Sequence, residues 1–469
     1  MDPKPIGESG SVQRTRFGKK IVVWIGAGLI LVGAAGGCAS SRERAAVDLW
    51  RAEAARTEAP PDTAALAVAT APRPSLRDLM ALAFERNRSV AAARQDWKAA
   101  LEQVPRARAL PDPMLTYGYF LQSVETRVGP QKQRVGVSQS FPWFGTLGER
   151  GDAALAAAEA AREKYVAALQ KTYRQVSAAY AEYYYLGSAI GIVRDNLQLL
   201  RQWEEILRSR YSTGTARFSD LIKVQVELGK LQDRVTTLEQ QRPPRRARLN
   251  ALLDLPADTP IAWPDSLPEV AGPDLRDSLE VRLHRQNPEL KALRAMVQKE
   301  SHGVSLARKS GLPSFTLGVD WVQTDPRDVP DLLDNGKDPV MAMVGVRIPL
   351  WRGKVSAGVR QAEARRNAAE ATLADRSNSL ATELDDALFR FDDASRKTAL
   401  YRDSLVPKVR QSLDASYSTF ESGQGSFLDV IDAERVLLEF RLILERARAD
   451  LLEARATVDA LTGEGSPNR

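Results

Sequence analysis

Residues 423–437, GQGSFLDVIDAERVL, place Asp429 and Asp432 three positions apart just after a glycine-rich turn. Residues 211–225, YSTGTARFSDLIKVQ, repeat the pattern with Lys223 where the second acid would stand. Aligning Tyr211, Gly214 and Asp220 with Phe420, Gly423 and Asp429 gives one offset of 209 residues. The same offset relates RVGVSQSFPW (134–143) to MVGVRIPLW (343–351). Upstream, ARALPDPMLTYGYF from Ala107 pairs with ARKSGLPSFTLGVDW from Ala307, and FERNRSVAAAR pairs with LHRQNPELKALR. Four landmarks in the same order mark a chain written twice, and self-similarity on this scale takes precedence over local propensity in assigning a fold.

Each half reads helix, strand, strand, long helix, turn, helix. The first helix covers about 75–109 in one half and 279–309 in the other, both rich in Ala, Leu, Glu, Arg and Gln. Long helices follow over about 146–210 and 354–419, each on the order of 100 Å at 1.5 Å per residue. Apolar residues then recur at three and four positions, as in Val430, Ala433, Leu437 and Phe440, which predicts sideways packing as coiled-coil pairs. Pro243-Pro244 falls inside the returning helix of the first half and predicts a break or kink there. The predicted layout is an export signal at 1–37, an N-terminal linker at 38–74, a first repeat at 75–256, a proline-rich connector at 257–278, a second repeat at 279–464 and a tail at 465–469.

The strands, expected at about 113–122, 134–142, 314–323 and 340–350, carry more discriminating information. Phe315, Leu317, Val319 and Trp321 alternate with Thr316, Gly318, Asp320 and Val322, and Val340, Ala342, Val344, Val346 and Ile348 alternate with Met341, Met343, Gly345, Arg347 and Pro349. Leu115, Tyr117, Tyr119 and Leu121, then Val135 and Val137, follow the same rule. A half-buried soluble sheet alternates in this way. So do transmembrane β-strands, whose lipid face is apolar and whose lumen face is polar. Trp143, Phe144 and Trp351 at the strand ends suit a membrane interface. Four strands do not close a membrane barrel, and an open sheet edge loses its hydrogen bonds in lipid, so a membrane reading requires several copies.

Composition excludes other classes. The chain has 469 residues, 43% hydrophobic and 27% charged, with a formal net charge of +6. Half of that excess sits in the first 37 residues, which hold Lys4, Arg14, Arg16, Lys19 and Lys20 against Asp2 and Glu8. The remainder is close to balanced and carries no nucleic-acid footprint. Cys38 is the only cysteine, so disulfides within the chain and CxxC sites are absent. It follows a basic stretch, RTRFGKK, and an apolar run, IVVWIGAGLILVGAAGG, which is the layout of an export signal. Ala35-Gly36-Gly37 supplies the small residues of a lipoprotein cleavage site, with Ala35 standing where a leucine is usual, and Cys38 is the expected lipidation site. Only two histidines, His284 and His302, are present, with no P-loop, HExxH or GxSxG pattern, so neither an enzyme nor a cofactor is expected. Met341 and Met343 share the inward face but have no companion ligands, and a packing role is expected for them rather than a metal site. Asp331 and Asp334 read as part of a solvated outer loop.

The landmarks LPDPMLTYG and FPWFGTLGER, with the turns YSTGTARFSDL and ESGQGSFLDVIDA, make the stretch from about 75 to 462 resemble the TolC-type outer membrane factors. The LPDP and FPWFG wording is similar to the branch associated with heavy-metal efflux. The resemblance implies a mostly α fold with a β membrane part. As a homotrimer, this would be a twelve-stranded barrel in outer membrane lipid, continued by a long periplasmic α-helical barrel with the 257–278 connector in its equatorial belt. It further implies a passive exit duct in a Gram-negative outer membrane, lipid-anchored through palmitate and related chains on Cys38. Metal cations or drugs would be delivered by a periplasmic adaptor and an inner-membrane pump of the resistance-nodulation-division type. A type I secretion duct is the alternative within the family, and a periplasmic coiled-coil adaptor or structural lipoprotein without a pore is the alternative outside it.

Asp429 and Asp432 then have two readings. One is a solvated acidic face near a helix N-terminus, where the macrodipole favours negative charge. The other, implied by the resemblance, is a periplasmic gate of Asp429, Asp432, Asp220 and Lys223, forming a charged ring when three copies assemble. Tyr211, Thr213, Gly214, Ser219, Gly423, Ser426 and Phe427 would form the tip that meets the adaptor.

Overall fold

The computed structural model describes residues 40–56 and 62–465. The expected export signal, Cys38 and the tail beyond 465 lie outside the described residues. Helices α1 (Ser41–Arg56) and α2 (Asp62–Ala69) occupy much of the stretch read as a linker. The following elements are α3 (Leu76–Arg86), α4 (Arg88–Arg108), β1 (Met114–Thr126), β2 (Gly129–Phe141), α5 (Thr146–Ser212) and α6 (Phe218–Leu252). The same order then returns as α7 (Arg276–Gln286), α8 (Pro288–Lys309), β3 (Ser314–Thr324), β4 (Val340–Arg347), α9 (Arg352–Leu400), a π-helical turn (Tyr401–Leu405), α10 (Val406–Glu421) and α11 (Phe427–Thr462). The chain divides into two compact units: a sheet-bearing one from residues up to 48, 101–155 and 298–366, and a helical one from 49–100, 156–297 and 367–469.

In the sheet-bearing unit the strands form one antiparallel sheet in the order β1-β2-β3-β4. Register lines up Leu115, Val137, Val319 and Ala342 in one row and Tyr117, Val135, Trp321 and Val340 two residues away on the same face. This is the predicted apolar face, and much of it is bare: Leu115 is 72% and Leu121 95% exposed. The opposite face holds Thr116, Gly136, Asp320 and Met341 in register. There Arg134 Nη2 lies 2.5 Å from Asp320 Oδ2. A Cβ on Gly136 would fall 2.0 Å from Asp320 Oδ1, so only glycine leaves room for the pair.

In the helical unit, Val193, Leu197, Trp203 and Leu207 of α5 pack with Leu221, Val224 and Leu231 of α6 and with Val430 and Leu437 of α11. A second cluster joins Leu79 and Ala83 of α3 to Tyr180 and Tyr183 of α5 and to Leu249 near the end of α6. Its counterpart joins Leu279 and Leu283 of α7 to Leu380 and Leu384 of α9 and to Val458 and Leu461 near the end of α11. The connector is tied down by Trp263, which stacks on Tyr183 at 4.4 Å and lies under the Arg242 guanidinium at 4.5 Å.

Three local features differ from the sequence expectation. Each opening helix is two helices, split at Asn87 and Asn287, whose ψ of 123° is extended rather than helical. Pro243-Pro244 does not break α6. Both prolines are exposed, so the carbonyls that lose their intrahelical donors face solvent and find partners there. The second long helix is interrupted where none was expected: the Val406 N–H reaches back to Tyr401, one residue beyond α-helical spacing, immediately before Pro407. Pro407 has no N–H to give, and the wider turn accommodates the mismatch.

Candidate functional site

The two glycine turns lie at one end of the helical unit. Gly214 and Gly423 adopt φ of 73° and 74°, a left-handed conformation that glycine enters without a Cβ penalty. The Arg210 guanidinium sits 4.6 Å over the Phe420 ring and donates to the Phe420 carbonyl at 3.4 Å, so the end of α5 is joined to the end of α10. Trp203 stacks on Tyr417 at 6.0 Å and meets Phe427 edge-on at 5.8 Å. Arg210 and Trp203 do not stand out in the turn motifs, and Phe420 entered there only as the counterpart of Tyr211. Their signal was the aromatic and basic spacing at the helix ends.

The expected tip residues divide into two groups. Tyr211 and Thr213 are exposed beside Gly214, and Tyr211 leans on the exposed Phe218 at 5.5 Å. Ser219 is exposed. Ser426 caps α11, its Oγ accepting from the Leu428 N–H at 3.1 Å. Phe427, expected as a contact residue, is instead buried at 3% exposure between Trp203 and Phe420. It begins an amphipathic helix whose apolar stripe continues through Val430 and Ile431, so it holds the turn from within.

The four gate candidates also differ from one another. Asp429 and Asp432 are both exposed in the first turns of α11. Asp432 accepts from Arg435 Nη1 at 3.1 Å, and Arg435 also grips Glu227 of α6. Lys230 holds the same Glu227 at 2.9 Å. The charge of Asp432 is therefore offset, whereas among the described residues no cation pairs with Asp429 or Asp220. Ser219 Oγ approaches Asp220 at 3.5 Å. Lys223 makes no ion pair within the described residues, so the expected contact with an aspartate is not formed inside one copy. Arg435 was recognisable in the sequence as a basic residue one helical turn after Asp432.

Behind the turns lies a buried polar pair that sequence patterning did not single out. Asn196 of α5 donates to Glu434 Oε1, and Glu434 is 6% exposed. Glu434 Oε2 and Asn196 Oδ1 have no hydrogen-bond partner among the described residues. Burial pushes the Glu434 carboxyl up to about 7, against the opposing pull of Arg441 and Arg410. A proton on Oε2 would supply the one donor that both unpartnered oxygens lack.

No group of three or more His, Cys, Asp or Glu arranged to hold a metal occurs among the described residues. His302 is taken up by Glu149 at 2.9 Å and His284 by Ser377 at 3.2 Å.

The family model for outer membrane efflux proteins matches residues 79–254 and 281–464, one segment in each half. The cobalt-zinc-cadmium resistance protein CzcC of Cupriavidus metallidurans is 23% identical over 409 residues, covering 83% of this chain and 90% of that protein. The outer membrane protein OprJ of Pseudomonas aeruginosa is 23% identical over 379 residues, covering 77% and 78%. Among solved structures, CusC superposes with a TM-score of 0.71 at 18% identity over 83% of this chain and 92% of its own. VceC from Vibrio cholerae superposes with a TM-score of 0.68 at 19% identity over 83% and 96%. The chain belongs to the outer membrane efflux protein family and serves as an outer membrane exit channel.

Proposed function

We propose that three copies of this chain close a twelve-stranded outer membrane barrel, and that the duplicated helices form a periplasmic duct receiving substrate from a periplasmic adaptor and an inner-membrane pump. The observation that carries this reading is the sheet. It has four strands, an apolar face open on one side, a polar face on which Arg134 pairs with the buried Asp320 on the other, and edges at β1 and β4. An edge of free N–H and C=O groups is not stable in lipid, and pairing β4 of one copy with β1 of the next removes it. A pore-free adaptor has no use for such a sheet.

The glycine turns are then the entrance, with Asp429 and Asp220 as the acids of its ring and Asp432 held back by Arg435. Cations are the substrates such a ring admits most readily, which agrees with the metal-resistance name of the CzcC relative. An acyl chain on Cys38 would add a lipid anchor. Tyr211, Thr213, Gly214, Ser219, Gly423 and Ser426 are the surface offered to the adaptor.

Planar-bilayer recording tests the gate. Asp429→Ala with Asp432→Ala should raise conductance or relieve block by multivalent cations, with most of the effect already present in Asp429→Ala. Unchanged conductance and unchanged cation block in the double variant would overturn the gate. Failure of the wild type to conduct at all would overturn the channel.

A further inference from the structure

Asn196 of α5 and Glu434 of α11 belong to different halves of the chain, and their contact crosses from one helix pair to the other behind the glycine turns. Both sit in apolar surroundings. Along the buried stripe of α11, Glu434 lies between Val430 and Ile431 on one side and Leu437 and Leu438 on the other. Asn196 lies between Val193 and Leu200 on the matching stripe of α5. The two side chains are 6% and 4% exposed, and the oxygens they leave unpartnered are both acceptors. With a proton on Glu434 the pair closes on itself. Without it, one neutral amide donor faces a buried negative charge, and any shift that admits water or a cation is favoured.

Two cations stand close enough to act on that charge. Arg410 of α10 is exposed, and among the described residues it meets no carboxylate. Arg441, two turns beyond Glu434 on α11, reaches Asp195 of α5 only at 3.9 Å. Both of these residues line a hollow of about 370 Å³, which leaves the guanidinium room to move. On α6, Glu227 is already held by Arg435 and Lys230, and Arg234 by Glu439. The other polar ties between the helix pairs nearest the turns run from Arg210 to the Phe420 carbonyl, from Arg435 to Glu227 and from Arg234 to Glu439. Their donors are all arginines, which stay charged at any ordinary pH. Glu434, by contrast, changes charge near neutrality, because burial, opposed by Arg441 and Arg410, puts its value at about 7.

We propose that the Asn196–Glu434 contact is a proton-operated latch, which holds α5 against α11 while Glu434 is protonated and frees the α10–α11 pair to move off α5 and widen the entrance once the proton is lost. The proposal rests on the reading of the glycine turns as the mouth of a duct. The latch lies within one copy of the chain and acts once in each. An acidic periplasm keeps it fastened, and the duct opens more readily on the alkaline side of neutrality.

The test uses the full-length protein and two readouts. In planar bilayers the open probability of the wild type should rise by about tenfold between pH 6 and pH 8, following the ionised fraction of a carboxyl with a value of about 7. Glu434→Gln, which cannot ionise, should stay at the low level throughout. Amide hydrogen exchange over residues 190–200 and 430–438, corrected for the intrinsic effect of pH, should lose protection across the same interval in the wild type and not in the variant. Flat protection in the wild type, or equal steps in both proteins, overturns the latch. A step in exchange without one in open probability overturns its link to opening. A wild type that conducts at no pH overturns the channel reading instead, and exchange still decides the latch. Should Glu434→Gln fail to fold, Asn196→Asp supplies the comparison. A second carboxyl beside Glu434 holds a shared proton more tightly, so both steps should move up by about one pH unit, and steps that stay in place overturn the proposal.

Discussion

Asn87 fastens the end of α6: its Nδ2 donates to the carbonyl of Leu252 at 3.0 Å. Asn287 repeats the bond on the carbonyl of Leu461 near the end of α11, again at 3.0 Å. Each asparagine also caps the helix that follows it, Oδ1 accepting from Ser89 at 3.0 Å in one case and from Glu289 at 2.9 Å in the other. One side chain therefore satisfies a helix start, ends the preceding helix and closes a contact to the far end of its half. Asn87→Ala and Asn287→Ala should each cost about 1–3 kcal/mol, combining a lost cap with an unpaired buried carbonyl. Asn→Asp, which keeps the acceptor and loses the donor, should retain part of that. Chemical denaturation of the four variants measures it, and equal losses for Ala and Asp would show that the cap contributes nothing.

Glu434 should make stability fall as pH rises. Its folded-state value of about 7 lies above the ordinary 4.5, so between these limits the folded chain holds a proton that the unfolded chain has released. Stabilisation is full below the ordinary value and is lost as pH climbs through about 7, a change on the order of 3 kcal/mol. Glu434→Gln keeps a donor for Asn196 Oδ1 and removes the titration. The difference in thermal midpoint between wild type and variant should therefore widen from pH 5 to pH 8. A constant difference would mean that the carboxyl titrates in its usual range.

Pro243→Ala with Pro244→Ala should stabilise α6. An interior proline costs a helix about 3 kcal/mol relative to alanine, partly regained through the stiffer unfolded chain. A gain of at least about 1 kcal/mol is expected, together with slower amide exchange over residues 239–248. A loss would mean that the two rings make packing contacts in the assembled protein.

Arg134→Gln should harm the sheet more than removal of both charges. Asp320 is 3% exposed, and a buried carboxylate deprived of its partner is destabilising because its charge is left uncompensated. Arg134→Gln with Asp320→Asn should recover much of the loss. Gly136→Val should resemble the single variant, because its side chain would occupy the space of Asp320 Oδ1. The heat-dependent gel mobility of the assembled protein reports all three.

Much of this architecture was legible because it rests on patterns that repeat. Strand alternation set the sheet faces correctly down to Leu317 and Thr316, and glycine at 214 and 423 located both turns. What was missed depends on single contacts. The split at Asn287 had a local sign, Pro288 at a helix start, masked by helix-favouring residues on both sides, whereas Asn87 is followed by Arg88 and lacked that sign. The continuity of α6 through two prolines depends on exposure, which the local pattern did not reveal. The restraint on Asp432 was half visible in Arg435, but the Glu227 that anchors Arg435 lies 208 positions away.

The π-helical turn at Tyr401–Leu405 has a consequence for every residue beyond it. A π turn accommodates one extra residue, so the chain that leaves it has advanced as though one residue were missing, roughly 1.5 Å short and 100° behind in azimuth. The first half crosses the matching stretch of α5 without interruption. Positions matched by sequence in the two halves are therefore out of phase around their helix axes downstream of the turn. In the trimeric duct proposed above, a wall of alternating halves would then have a threefold rhythm rather than a sixfold one, set by backbone geometry before any difference between Lys223 and Asp432 is considered.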